Sequence, residues 1–155
     1  MVEYTDQGWV QIDPGSIWVP ETAQHEGSFE IVVPYTDLKI TPKVVEKAAA
    51  LAKGLNAVLK LVAVYVAPYP ADLSCPTSVT EHLISRLTES AEKTTLPASV
   101  HLVVARDRDA GFAHALRPAS AILLGSPRRL WRTREEKLAR KLARAGHHVS
   151  LLHFD

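Results

Sequence analysis

Residues 121–154 constrain the fold of this chain more than any other stretch, because they combine two predicted strands with a glycine, a basic loop and a helix. The apolar run Ala121–Leu124 stops at Gly125, which is typical of a short buried parallel strand. Thr133 is followed three residues later by a glutamate, the capping-box spacing that predicts the start of a helix. Gly146 is a natural stop for that helix, and the apolar residues after it predict a last strand.

The alternation of strand and helix extends over the whole of residues 29–155. Strands are predicted at residues 29–33, 56–66, 99–105, 121–124 and 147–154. Helices are predicted between them, starting at Thr41-Pro42, where Thr41 serves as the cap and Pro42 as the first-turn proline, at Ser78, after Asp107 and after Thr133. Strands that alternate with helices pair in parallel and carry helices on both faces of the sheet. The sequence therefore predicts an α/β fold with a five-stranded, doubly wound, mainly parallel sheet.

Residues 1–28 differ from the rest and predict an N-terminal β-hairpin arm with a connector, so we divide the chain into 1–28 and 29–155. Two β-prone runs, one with Trp9 and one with Trp18, flank a Pro-Gly turn at residues 13–16. The two indole rings require burial. Two interpretations are open: the arm covers a sheet edge, or its tryptophans form a dimer contact.

The chain has 155 residues, which is the size of one domain with a substantial core. Its single cysteine, Cys75, excludes an internal disulfide and fits a reducing compartment. No apolar run reaches the roughly 18 residues that a membrane helix needs, and the N-terminus shows no secretory signal. We therefore expect a cytoplasmic protein with no membrane span.

Basic residues concentrate near the C-terminus. Residues 117–144 carry nine Lys and Arg against two Glu, whereas the remainder carries nine basic and fifteen acidic residues. Such a pole can meet an anion, a nucleic-acid backbone or an acidic protein partner, or it can be a solvated helix face. Trp131 is the only aromatic residue among these arginines, so we expect no nucleic-acid partner. Its ring is instead expected to pack under the loop or to stack on Arg129 or Arg132.

Three polar loops are predicted to meet at one edge of the sheet, because the carboxyl ends of parallel strands lie together. They span residues 35–39, 105–109 and 125–132. Asp107 has two open interpretations, as a helix N-cap or as an acid–base group on this rim. The seven histidines lack metal-ligand spacing, and no nucleophile elbow or phosphate-binding loop is present. We expect no metal site, no catalytic residue and, on balance, no enzyme.

Two segments resemble the universal stress protein family. Ile31-Val-Val-Pro34 is similar to the family's opening strand, and Ile122-Leu-Leu-Gly-Ser126 is similar to its fourth strand and the turn after it. The resemblance covers about residues 29–154. It implies a fold of the adenine-nucleotide α-hydrolase type and a homodimer formed through the last strand, where Val149 and Leu151 are candidate contacts.

The residues that bind ATP in this family are only partly matched here. ATP-binding members have an acidic residue after the first strand, where this chain has Thr36, with Asp37 one place later. They also have Gly-x-x-Gly, nine residues and Gly-Ser/Thr after the fourth strand. Gly125 matches the first glycine, but Arg128 replaces the second, and the later Gly-Ser/Thr is missing. The glycines of the motif let phosphate oxygens come close to backbone amides, and the side chain of Arg128 would hinder that contact. The ATP motif is therefore degenerate in this chain.

The leading functional hypothesis is a non-enzymatic, universal-stress-protein-like regulatory or stress-response module. It would act through dimer and partner contacts and require no cofactor. The alternative is a protein that binds a nucleotide, ATP or AMP, or another phosphate anion, with arginine forks replacing backbone amides. The candidate residues for that alternative are Thr36, Asp37, Gly125, Ser126, Arg128, Arg129 and Arg132.

Overall fold

The computed structural model describes residues 3–4, 9–11, 17–20, 29–67, 78–117 and 119–155 of the chain. In chain order the elements are β1 (Glu3–Tyr4), β2 (Trp9–Gln11), β3 (Ile17–Pro20), β4 (Phe29–Pro34), α1 (Thr41–Leu51), β5 (Ala57–Val66), α2 (Ser78–Glu92), β6 (Ala98–Ala105), α3 (Arg108–Ala115), β7 (Ala121–Pro127), α4 (Arg134–Arg144) and β8 (His148–Phe154). Within this part of the chain, every helix is too short or too polar to cross a lipid bilayer.

The strands form one sheet in the order β1-β2-β3-β6-β5-β4-β7-β8. Its last five members, from β6 to β8, all pair in parallel. The chain moves outward in one direction from β4 to β5 and β6, and then returns to the other side of β4 to form β7 and β8. This arrangement confirms the predicted doubly wound α/β fold and places its switch point between β4 and β7.

Helices cover both faces of the parallel strands, as predicted. On one face α1 and α2 supply buried residues such as Val44, Ala48 and Leu87 to a core that includes Leu59 and Leu123. On the other face α3 and α4 pack with Phe112, Leu138 and Leu142 against Val62 and Leu124. The period of 3.6 in the helix sequences and the apolar runs of the strands specify these two layers.

The N-terminal hairpin is present in the backbone: β2 pairs antiparallel with β3, and Gln11 lies opposite Trp18. β3 also pairs antiparallel with the outer side of β6, where Trp18 lies opposite Leu102. The arm therefore covers one edge of the parallel sheet. The side chains of Trp9 and Trp18, the turn, the connector 21–28 and Cys75 lie outside the described residues.

Two local predictions need correction. We expected β7 to stop at Gly125, but it continues to Pro127 because residues 125–127 pair with Leu152, His153 and Phe154 of β8. We also expected Thr41 to cap α1. It is instead a buried first-turn residue whose hydroxyl accepts hydrogen bonds from the amides of Thr36 and Asp37, each at 3.3 Å.

Two basic side chains, the buried Lys60 and the half-buried His101, lie on the face of the sheet that carries α3, opposite α1. Lys60 is only 6% exposed and donates a hydrogen bond to the carbonyl oxygen of Ala115 at 3.3 Å. Burial lowers its pKa, Glu30 opposes that change and Arg117 adds to it. His101 lies on the same face of the neighbouring strand, where burial and then the charges of Lys60 and Arg117 lower its pKa to about 3.

Candidate functional site

The rim at the carboxyl ends of the parallel strands is where ligands bind in doubly wound sheets. β4 and β7 end there side by side, followed by the loops that lead into α1 and α4. The loop between β6 and α3 ends at the same edge. The three loops predicted to share a rim therefore do share it.

The loop after β4 is organised by its own hydrogen bonds. One carboxylate oxygen of Asp37 accepts the amides of Lys39 at 2.7 Å and Ile40 at 3.0 Å, which forms an Asx turn into α1. The amide of Thr36 is held by Thr41. Asp37 is exposed and Thr36 half-buried, but both contribute to the start of the helix.

Gly125 is a packing residue in β7. A Cβ atom there would collide with a methyl group of Val44 and lie 2.6 Å from Cγ2 of Ile40. The glycine therefore lets α1 approach the sheet closely, and the space above it is filled by α1.

Ser126 is completely buried and its hydroxyl forms a 2.6 Å hydrogen bond with the hydroxyl of Thr133. Thr133 also accepts the amide of Glu136 at 3.2 Å, which is the N-cap predicted for α4. The pair anchors the end of β7 to the start of α4. Neither hydroxyl faces solvent.

The arginines of the loop after β7 are exposed, but the structure divides them between two sides of α4. Arg128 and Arg129 line an open groove of about 580 Å³ beside His153 of β8. Arg128 also forms a 3.6 Å ion pair with Asp155, in which both side chains are mostly exposed, so the pair contributes little stability. Arg132 turns to the α3 side of α4. The candidate anion-binding arginines therefore do not line a single binding site.

A second groove, which sequence reasoning missed, lies between the start of α3 and α4. We call it the cationic groove; it has a volume of about 420 Å³. Its lining consists of Asp107, Arg108 and Asp109 from the start of α3, Arg132, and the five cationic residues of α4. In the sequence, the only sign of this groove was the density of Lys and Arg in residues 117–144. The contribution of α3 could not be recognised there, because its residues lie outside that segment.

Acidic residues in and beside the cationic groove hold α3 and α4 together. Asp109 accepts a 2.7 Å hydrogen bond from Lys141 and lies 3.4 Å from Arg108, which also reaches Glu135 at 3.8 Å. Partial burial alone would raise the pKa of Asp109, but Lys141 and Arg108 outweigh it and lower that pKa. Asp107 caps α3 by accepting the amide of Ala110 at 2.8 Å, which supports its interpretation as an N-cap.

The remaining polar candidates do not assemble into a metal centre. Among the residues that the structure describes, no three His, Cys, Asp or Glu side chains come together in a way that could hold an ion. His147, for example, accepts the amide of Ser120 at 3.2 Å and so closes the turn before β7.

Strand order, two helical layers and a polar rim at the switch point define a doubly wound α/β domain of the kind that binds ligands at its strand ends. The sequence matches no family model and no curated protein sequence. Among solved structures, the chain is similar to a universal stress protein from Archaeoglobus fulgidus, with a TM-score of 0.54 and 12% sequence identity. The match covers 82% of this chain and 93% of that chain. The fold is therefore universal-stress-protein-like.

Proposed function

We propose that the chain is a non-enzymatic regulatory module of the universal stress protein type, in which two copies join through β8. The observation that carries this proposal is the open edge of β8. At the opposite side of the parallel strands β6 is covered by β3, whereas no described strand lies beyond β8. A role in stress responses and a cytoplasmic location belong to the proposal and are supported by the likeness of fold and the single cysteine.

The sequence of β8 lacks the devices that usually protect an exposed edge. Natural edge strands carry lysine, proline or a bulge that blocks pairing with another chain. β8 reads His-Val-Ser-Leu-Leu-His-Phe, seven residues without lysine, proline or any carboxylate. Beside it, Val149 and Leu151 line an open groove of about 370 Å³ with Ala139 and Ala143 of α4, and Glu136, Arg140 and His153 complete the lining. A second copy would bury the four apolar side chains as well as the strand edge.

The backbone of β8 offers hydrogen-bonding groups on its outer side. His148 donates its amide toward the β7 side, and Phe154 accepts the amide of Arg128 from that side. Because successive residues of a strand point their backbone groups in opposite directions, Val149, Leu151 and His153 direct theirs outward. An antiparallel partner strand centred near Leu151 would satisfy them.

We expect the wild-type protein to sediment as a homodimer at micromolar concentration and Leu151→Lys to sediment as a monomer, because a lysine places a charge in the centre of the strand pair. His153→Pro should also weaken the dimer, since it removes one outward amide and leaves the pairing with β7 intact. Analytical ultracentrifugation measures both. Leu55→Lys, at an exposed leucine after α1, is the matched control and should remain dimeric. A wild-type protein that is monomeric at 100 μM would refute the β8 interface.

A second candidate function is the binding of a phosphate anion at Arg128 and Arg129. It is supported by the exposure of both side chains in one groove, and Arg129 has no ion pair within the described residues. The burial of Gly125 and Ser126 restricts such a site to these guanidinium groups.

ATP, AMP or inorganic phosphate at 100 times its Kd should then stabilise the protein by about 2.7 kcal/mol in a thermal-shift scan. Arg128→Ala/Arg129→Ala should abolish that shift, and Lys47→Ala/Lys53→Ala should retain it. If none of the three ligands shifts the unfolding temperature, this second function is excluded and the dimeric module stands alone.

A further inference from the structure

The cationic groove has more positive charge than its own acidic groups neutralise. Its two lining carboxylates are Asp107, which caps α3, and Asp109, which engages Arg108 and Lys141. Glu135, beside the groove, also engages Arg108. Five cations of the groove form no ion pair among the described residues, and they are Arg132, Arg134, Lys137, Arg140 and Arg144. An open cleft that gathers so many unpaired charges of one sign attracts a polyanion.

The cations follow a line along α4. Arg134, Lys137, Lys141 and Arg144 are spaced by three, four and three residues, which places them on one side of the helix. With a rise of about 1.5 Å per residue, the line is about 15 Å long. A nucleic-acid strand in duplex geometry carries one phosphate per about 3.4 Å, so the line spans on the order of four phosphates.

The chemistry of the lining distinguishes a nucleic acid from an acidic protein. Every residue that lines the groove is charged, and none is apolar. A protein partner needs an apolar core in its interface, which this surface does not supply. Most of the unpaired cations are arginines, whose planar guanidinium groups match phosphate oxygens in a two-pronged geometry.

Trp131 supplies an aromatic surface next to the groove. It immediately precedes Arg132, which lines the groove, and the residue is 85% exposed. From the sequence, the ring was expected to pack under the loop or stack on a neighbouring arginine, and either would compete with a ligand. An exposed ring beside a row of cations is the combination used by proteins that bind single strands, in which bases stack while the backbone follows the positive charges.

We propose that the cationic groove binds single-stranded nucleic acid, with Lys137, Arg144 and their neighbours on the phosphates and Trp131 stacked on a base. This proposal replaces the expectation, from the sequence alone, that nucleic acid is not a partner. Among the unpaired cations of the groove, Arg140 also lines the groove beside β8, whereas Lys137 and Arg144 do not. Variants at Lys137 and Arg144 therefore test this proposal separately from the β8 interface.

The test is fluorescence anisotropy with fluorescein-labelled 12-nucleotide single strands of oligo(dT) and oligo(U), at 50 and 200 mM KCl. Three phosphate contacts give a log–log salt slope of about −2, so this change in salt should weaken binding about 20-fold. Lys137→Gln/Arg144→Gln should reduce the slope by about 1.4 and the affinity at 50 mM KCl about tenfold. Trp131→Ala should weaken binding at least about fivefold, whereas Trp131→Phe should bind like the wild type.

Two controls make the result decisive. Lys47→Gln/Lys53→Gln removes the same net charge from the opposite face of the sheet and should bind within about twofold of the wild type. A poly-glutamate chain of equal charge should bind more weakly than either oligonucleotide. Failure to bind oligonucleotides at 50 mM KCl would overturn the proposal. Equal affinity for poly-glutamate would also overturn it and assign the groove to an acidic protein. No effect of Trp131→Ala would overturn it as well, because base stacking would then not contribute to binding.

Discussion

Lowering the pH from 7.5 to 5.0 should reduce the free energy of unfolding by about 2 kcal/mol through His101 alone. The folded protein holds this imidazole neutral, with a pKa of about 3, whereas in the unfolded chain it titrates near 6.5. Between these two values the unfolded state binds a proton that the folded state does not. Stability is therefore fully present above pH 6.5 and falls as the pH is lowered toward 3.

Urea unfolding at a series of pH values measures this loss, and the window between pH 7 and 5 isolates histidine because ordinary carboxyl groups titrate lower. His101→Gln should flatten the dependence, and His82→Gln, at an exposed position of α2, should not. Lys60→Met should reduce the loss, since removing the neighbouring charge raises the pKa of His101. An unchanged pH dependence in His101→Gln would contradict the prediction, because it would mean that His101 binds its proton as readily in the folded protein as in the unfolded chain.

Replacing Gly125 with alanine should destabilise the protein by about 1–3 kcal/mol, the usual cost of overpacking a core. The added methyl group meets Val44 and Ile40, both on or beside α1, and Val44 is fully enclosed. α1 must move away from β7 to accommodate it. Urea unfolding of the variant measures the loss.

A double-mutant cycle identifies the collision as the cause. Val44→Ala frees the space that the new methyl group needs, so the two substitutions together should cost at least about 1 kcal/mol less than the sum of their separate effects. Gly54→Ala is the control: its φ of +83° makes alanine strained, yet no atom lies near its Cβ position. Its cost should add to that of Val44→Ala. If the effects of Gly125→Ala and Val44→Ala on the free energy of unfolding were also additive, α1 would not be the element that excludes a side chain at position 125.

The sequence was sufficient to predict the order of elements from Phe29 onward. Apolar runs of strand length alternate there with helical stripes, and both signals are local. The caps at Asp107 and Thr133 are local as well, since each bonds to an amide three residues away. For the same reason the N-terminal pairing of β2 with β3 could be foreseen from its turn sequence.

The candidate site depends on contacts between distant residues, and these could not be foreseen. Asp109 and Lys141 are 32 residues apart and meet only because α3 and α4 pack on the same face. Gly125 matched a phosphate-binding pattern in sequence, and only the position of α1 shows that its space is occupied. The proximity of Lys60 and His101 requires the register of β5 and β6, which no local pattern specifies.

The pairing of β3 with β6 determines how large an assembly built on sheet edges can become. If both β6 and β8 were open, unlike edges could join head to tail and continue into a filament. With β6 occupied, the outermost strand on that side among the described residues is β1, whose two residues are too short to template another chain. In the proposed dimer β8 would then pair only with its own copy, and a twofold axis would close the assembly at two subunits. The N-terminal arm would in that case prevent growth into a filament.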